Sequence, residues 1–128
     1  MNNNYLTVSQ MKNLAVNISV ENAKYALIEL CGIEVVVPKL KLKDMNKSNY
    51  KMIWEHIYSI KELLDMIPSR IHYMYNDYEL KIEKYGLDSY SVFYQNIYNK
   101  DDKQFEFYGT EFVENLYYMY KTILINRF

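Results

Sequence analysis

The chain has 128 residues, half of them apolar, and a formal net charge of −1. Those values exclude a disordered chain and leave no global field that would draw in nucleic acid or an acidic membrane. The single cysteine, Cys31, excludes an internal disulfide and points to a reducing compartment.

A chain of this length implies one domain, residues 1–128, that folds without metal or disulfide. The opening Met1-Asn-Asn-Asn-Tyr5 lacks the basic-then-apolar pattern of a secretory signal. No apolar run approaches the ~20 residues that span a bilayer. A cytoplasmic location is therefore expected, in a bacterial or a host cell.

Thr7 and Gln10 form a T-x-x-Q capping box, and Val8, Met11, Ala15 and Ile18 follow at helical spacing. Ser19 reads as the cap of a second helix, 20–31, closed by Gly32. Residues 33–42 read as an edge strand: Val35, Val36 and Val37 are β-branched, Pro38 forbids a central position, and Lys39 to Lys43 alternate with Leu40 and Leu42.

Ser48 caps a predicted third helix, 49–66, with Tyr50, Ile53, Trp54, Ile57, Ile60 and Leu64 as its stripe. Pro68 ends it. A fourth helix, 69–85, is read from Ile71, Met74, Tyr75, Tyr78, Ile82 and Tyr85, with Gly86 after it. A fifth starts at Asp88 or Ser89. Residues 99–103 read as a polar turn and 104–108 as a short strand pairing with 33–42. A final helix, 111–126, carries Phe112, Val113, Leu116, Tyr117, Tyr120, Ile123 and Leu124 on its stripe. The expected fold is mainly α: about six helices in one bundle-like domain with a small two-stranded β element.

Catalytic and metal chemistry find little support. His56 and His72 are sixteen apart and match no zinc spacing, alone or with Cys31. Cys31 falls in the last turn of its predicted helix, where the dipole disfavours a thiolate. Glu55, His56, Ser59 and Glu62 lie within two turns of the predicted third helix, a solvated edge with no loop to supply oxyanion donors. The three glycines are isolated, so no phosphate cradle exists. The sequence implies a non-enzymatic protein with no cofactor and no metal.

Two kinds of contact surface remain. Nineteen of the 21 aromatic residues lie after position 49. Tyrosine supplies large contact area at low entropic cost, with a hydroxyl that tolerates water. Tyr73 and Leu80 on the predicted fourth helix, and Tyr118 and Ile125 on the last, are seven apart and oppose the main stripes. They are the expected partner-binding residues, rimmed by Asp77, Lys84, Glu114 and Lys121. The expected partner is another protein, including a second copy of this chain.

The alternative is nucleic acid. Lys39, Lys41, Lys43, Lys47 and Lys51 lie within thirteen residues, opposed only by Asp44. Leu6-Thr-Val-Ser-Gln10 and the turn Asn17-Ile18-Ser19 give the first two predicted helices an outline that resembles a helix-turn-helix. Its reading helix would carry Glu21 and Glu29 against one Lys24, a poor match to base edges.

Asn, Lys, Ile and Tyr supply 53 of the 128 residues, a usage typical of low-GC genomes. A small inhibitor or adaptor encoded by a virus, phage or mobile element is the expectation that fits size and composition.

Overall fold

Thr7 closes a reciprocal cap on the first helix, α1 (Val8–Ala15). Its hydroxyl accepts from the Gln10 amide at 3.2 Å, and Gln10 Oε1 accepts from the Thr7 amide at 3.0 Å. Beyond this helix the computed structural model, which describes residues 4–126 and 128, departs from expectation. The described residues hold four α-helices and seven strands, 30% helix against 44% strand. The mainly α bundle of six helices is overturned, and with it the description of the chain as helical.

Residues read as a helix at 20–31 contain β1 (Tyr25–Leu30), paired antiparallel with β2 (Ile33–Pro38). Cys31 and Gly32 form the two-residue turn, with φ of 52° and 80°. Two positive φ values mark a type I′ hairpin. Gly32 therefore turns a hairpin and does not end a helix. Residues 39–42, expected to extend the strand, wind into the short α2 (Lys39–Leu42), and a 3-10 turn follows at Lys47–Asn49. The predicted helix 49–66 divides into β3 (Lys51–Ile57) and α3 (Ile60–Met66).

The backbone forms two compact units, the first ending at Glu62 and the second beginning at Leu63. In the first unit the sheet order is β2-β1-β3, with α1 against β3. Met11, Leu14, Ala26, Ile28, Ile57 and Tyr58 are its buried core. Burying a large apolar side chain contributes about 2 kcal/mol. The chain before α1 is tied down by the Leu6 amide on the Tyr58 carbonyl at 3.0 Å and the Ile60 amide on the Asn4 carbonyl at 2.9 Å. Ser59 and Glu62 cap α3 reciprocally: the Glu62 carboxylate accepts from the Ser59 amide at 3.0 Å, and Ser59 Oγ accepts from the Glu62 amide at 3.2 Å.

The second unit is an antiparallel meander of β4 (Arg70–Tyr73), β5 (Asn76–Tyr85), β6 (Ser89–Asn96) and β7 (Asn99–Gly109), in that order. The predicted helix 69–85 is the β4–β5 hairpin, and the predicted helix from residue 88 or 89 is β6. On β5, Tyr78, Leu80 and Ile82 alternate with Glu79, Lys81 and Glu83, which is the period of a strand. The expected strand 104–108 exists inside β7 but pairs with β6, while β2 pairs with β1. Residues 99–103 begin β7, so the expected polar turn there is absent.

The last helix, α4 (Phe112–Asn126), packs against β6 and β7. Its buried stripe of Val113, Leu116, Tyr117, Tyr120 and Ile123 matches the sequence pattern. Asn115 fastens it by donating from Nδ2 to the Tyr90 carbonyl at 3.2 Å.

Candidate functional site

The expected partner-binding residues land on three elements. Tyr73 is on β4 and Leu80 on β5, both half-buried, so they are not an outward pair on one helix. Tyr73 belongs to an aromatic cluster, with ring centroids 4.9 Å from Phe105 and 5.5 Å from Phe128. A break in register between β6 and β7 puts Phe105 at φ 55°, and the bulge lets its ring reach that cluster. Tyr118 and Ile125 are on α4 as expected, 42% and 69% exposed. Seven residues apart, they share one face of that helix.

A cleft of about 330 Å³ lies beside Tyr118, lined by Phe107, Tyr108, Gly109, Thr110, Glu111, Glu114, Asn115 and Tyr118. It forms where β7 ends and α4 begins. The rings of Phe107 and Tyr118 stack, with centroids 5.9 Å apart and planes inclined by 27°. The Tyr118 hydroxyl donates to Glu114 Oε1 at 3.1 Å, one helical turn back. That carboxylate raises the hydroxyl's pKa above the usual tyrosine value.

A second pair of rings lies on the opposite side of the sheet, since Tyr108 follows Phe107 directly in β7. Tyr108 meets Tyr85 edge to face at 5.7 Å, and both are exposed. The Tyr85 hydroxyl donates to Glu83 at 2.7 Å; Glu83 raises its pKa, with burial and then Glu106 adding to the effect. Glu83 and Glu106 accompany Tyr85 and Tyr108 on one side of the sheet, and Glu111 and Glu114 accompany Phe107 and Tyr118 on the other. Nearby lysines face other rings: Lys84 lies over Tyr90 and Lys121 over Tyr117.

The lysines of the nucleic-acid alternative are spread over α2, its C-cap Lys43, the 3-10 turn and β3. On a helix, lysines two positions apart are turned by about 200°, so Lys39 and Lys41 do not form the expected one-sided row. Lys39 is spent internally. Its ammonium donates to the Glu21 carbonyl at 3.2 Å and lies 2.8 Å from His56 Nδ1. Burial lowers its pKa, an effect that Glu62, Glu55 and Glu21 oppose. An ammonium can only donate, so Nδ1 is the acceptor in this contact. Lys41, Lys43, Lys47 and Lys51 are exposed. The helix-turn-helix outline fails because its second helix is β1.

Ser59, Glu62 and His72, weighed for catalytic or metal chemistry, make structural hydrogen bonds. Ser59 and Glu62 cap α3, and the second oxygen of Glu62 accepts from the Lys24 amide at 2.9 Å. His72 Nδ1 sits 2.8 Å from Asp77 across the β4–β5 ladder. Cys31 is exposed in its turn. Among the described residues, no three His, Cys, Asp or Glu side chains gather as metal ligands, and no helix is long and apolar enough to cross a membrane.

Sequence reasoning found Tyr118 but missed Phe107, Tyr108, Gly109, Glu111 and Asn115. Their signal was the alternation Phe105-Glu106-Phe107 running into Gly109, followed by two glutamates three apart at a helix start. Comparison with protein families, characterised proteins and solved structures returns no match.

Proposed function

We propose that the protein is a non-enzymatic protein-binding module whose contact surface is the aromatic and acidic face formed by α4 and the end of β7. One observation carries this reading. Exposed Tyr118 stacks on Phe107 beside a cleft that Glu111 and Glu114 line, where ordinary exposed side chains are scattered singly. Ile125 extends the face along α4. Glu111 and Glu114 make a basic segment of a partner protein the complementary occupant.

A module of this kind acts by occupying a surface, as an inhibitor or an adaptor. Low-GC residue usage fits a product of a virus, phage or mobile element, and a lone exposed cysteine fits the cytoplasm.

The test compares Tyr118→Glu and Tyr118→Phe with the parent chain, all with matched circular dichroism. Tyr118→Glu loses partner retention and any self-association seen by sedimentation, whereas Tyr118→Phe keeps the ring and the binding. Equal retention by Tyr118→Glu and the parent would remove the proposal.

A further inference from the structure

The cleft between β7 and α4 is furnished with acceptors. Asn115 is 5% exposed, and its Nδ2 is committed to the Tyr90 carbonyl. That bond fixes the amide's orientation and turns Oδ1 the other way, where it accepts no hydrogen bond among the described residues. The oxygen is open to the cleft, so a donor entering there can reach it.

Gly109 keeps that oxygen accessible. Its φ is not positive, so the backbone there does not need glycine. A Cβ at this position would stand 3.5 Å from Asn115 Oδ1, an ordinary contact that would cover it. The missing side chain leaves a path to the oxygen.

The other side chains agree in sign. Glu111 and Glu114 bring two carboxylates to the lining, and no cation lines it among the described residues. The first amides of α4 favour an anion, and Glu114 places a carboxylate in that first turn. The stacked rings of Phe107 and Tyr118 add an aromatic wall.

Resting on the binding surface proposed above, we infer that this cleft receives an arginine side chain of the partner protein. A guanidinium is planar, stacks on aromatic rings, and carries five donors and no acceptor. It pairs with carboxylates through charge-assisted bonds and can also serve Asn115 Oδ1. An ammonium has no flat face for the rings. A cleft of about 330 Å³ stands at the low end of the range for small-molecule sites, in keeping with one side chain.

The test titrates the isotope-labelled chain with N-acetyl-arginine methylamide and follows backbone amide shifts. Its neutral isostere, the citrulline amide, and the lysine amide are titrated in parallel. The arginine probe gives saturable shifts at Gly109, Thr110, Glu111 and Asn115, and the citrulline probe does not. Glu111→Gln weakens the response roughly tenfold, the scale of one charge-assisted bond. Gly109→Val, which fills the cleft, abolishes it while the remaining spectrum stays in place.

Equal shifts with citrulline, saturation by lysine but not arginine, or no saturable shift would overturn the assignment. If the arginine probe fails while Tyr118→Glu still loses the partner, the slot falls and the surface stands. If the probe saturates while Tyr118→Glu keeps the partner, the cleft holds arginine and the wider surface reading falls.

Discussion

Tyr78 donates its hydroxyl to Asp102 Oδ2 at 2.6 Å, from β5 to β7 across the intervening strand β6. Asn96, the register partner of Tyr78 on β6, donates to the same oxygen at 3.1 Å, and Gln104 donates to Oδ1 at 2.8 Å. These bonds, with Tyr78 the largest contributor, hold the Asp102 carboxyl below the usual carboxylate range. A depressed folded-state value means the unfolded chain takes up this proton first as pH falls. The stabilisation is therefore complete above about pH 4, the unfolded value, and is lost as pH drops through the lower folded value. Asp102→Asn should lose stability at neutral pH and show a shallower acid limb in urea midpoints measured against pH. An unchanged acid limb would show that Asp102 is not the group responsible.

Tyr73 gives a second prediction, opposite to the one a helical reading suggests. On a helix its ring would face outward, and Tyr73→Glu would leave the fold untouched. In the structure the ring packs against Phe105, Phe128 and Tyr78. Truncating a fully buried aromatic costs ~3–5 kcal/mol; for this half-buried ring we expect about 2 kcal/mol from Tyr73→Ala, read from urea unfolding. Tyr73→Glu should cost at least as much. Full stability in both variants would mean that the cluster contributes nothing.

The β4–β5 turn supplies a third. Met74 and Tyr75 both adopt positive φ, 50° and 68°, and Tyr75 is 94% exposed. The type I′ geometry suits Asn-Gly, and each ordinary side chain in this region costs roughly 1–2 kcal/mol. Met74→Asn with Tyr75→Gly should raise stability by about 1 kcal/mol, seen as a higher urea midpoint with the same slope. Lower stability would show that these exposed side chains make contacts that outweigh the strain.

These residues also explain what the sequence made legible. The Thr7–Gln10 cap and the stripe of α4 are local signals, and both helices formed where they pointed. The strand at 33–38 followed from β-branched residues and Pro38. At 69–85 the spacing of Ile71, Met74, Tyr75, Tyr78 and Ile82 imitated a helix because it ran through two strands and the turn joining them. The alternation of Glu79, Lys81 and Glu83 against Tyr78, Leu80 and Ile82 was the truer signal. β6 offered no alternation, since residues 91–94 are all buried, and such a run is ambiguous between strand and helix. The tyrosines after position 49 were read for contact, but tyrosine is also a strand former. Of the candidate site, Tyr118 was visible on its helix. The cleft beside it was not, because Phe107, Gly109 and Asn115 meet only once β7 is paired and α4 has folded onto it.

The most direct test of the binding surface is site-specific photo-crosslinking in the native host, with a photoreactive phenylalanine placed at position 118 or, as control, at the exposed turn position 75. The account predicts a discrete cross-linked protein from position 118, attached through a segment rich in basic residues, and none from position 75. A crosslink from position 75 alone, or from neither position while the chain still co-purifies with its partner, would contradict it.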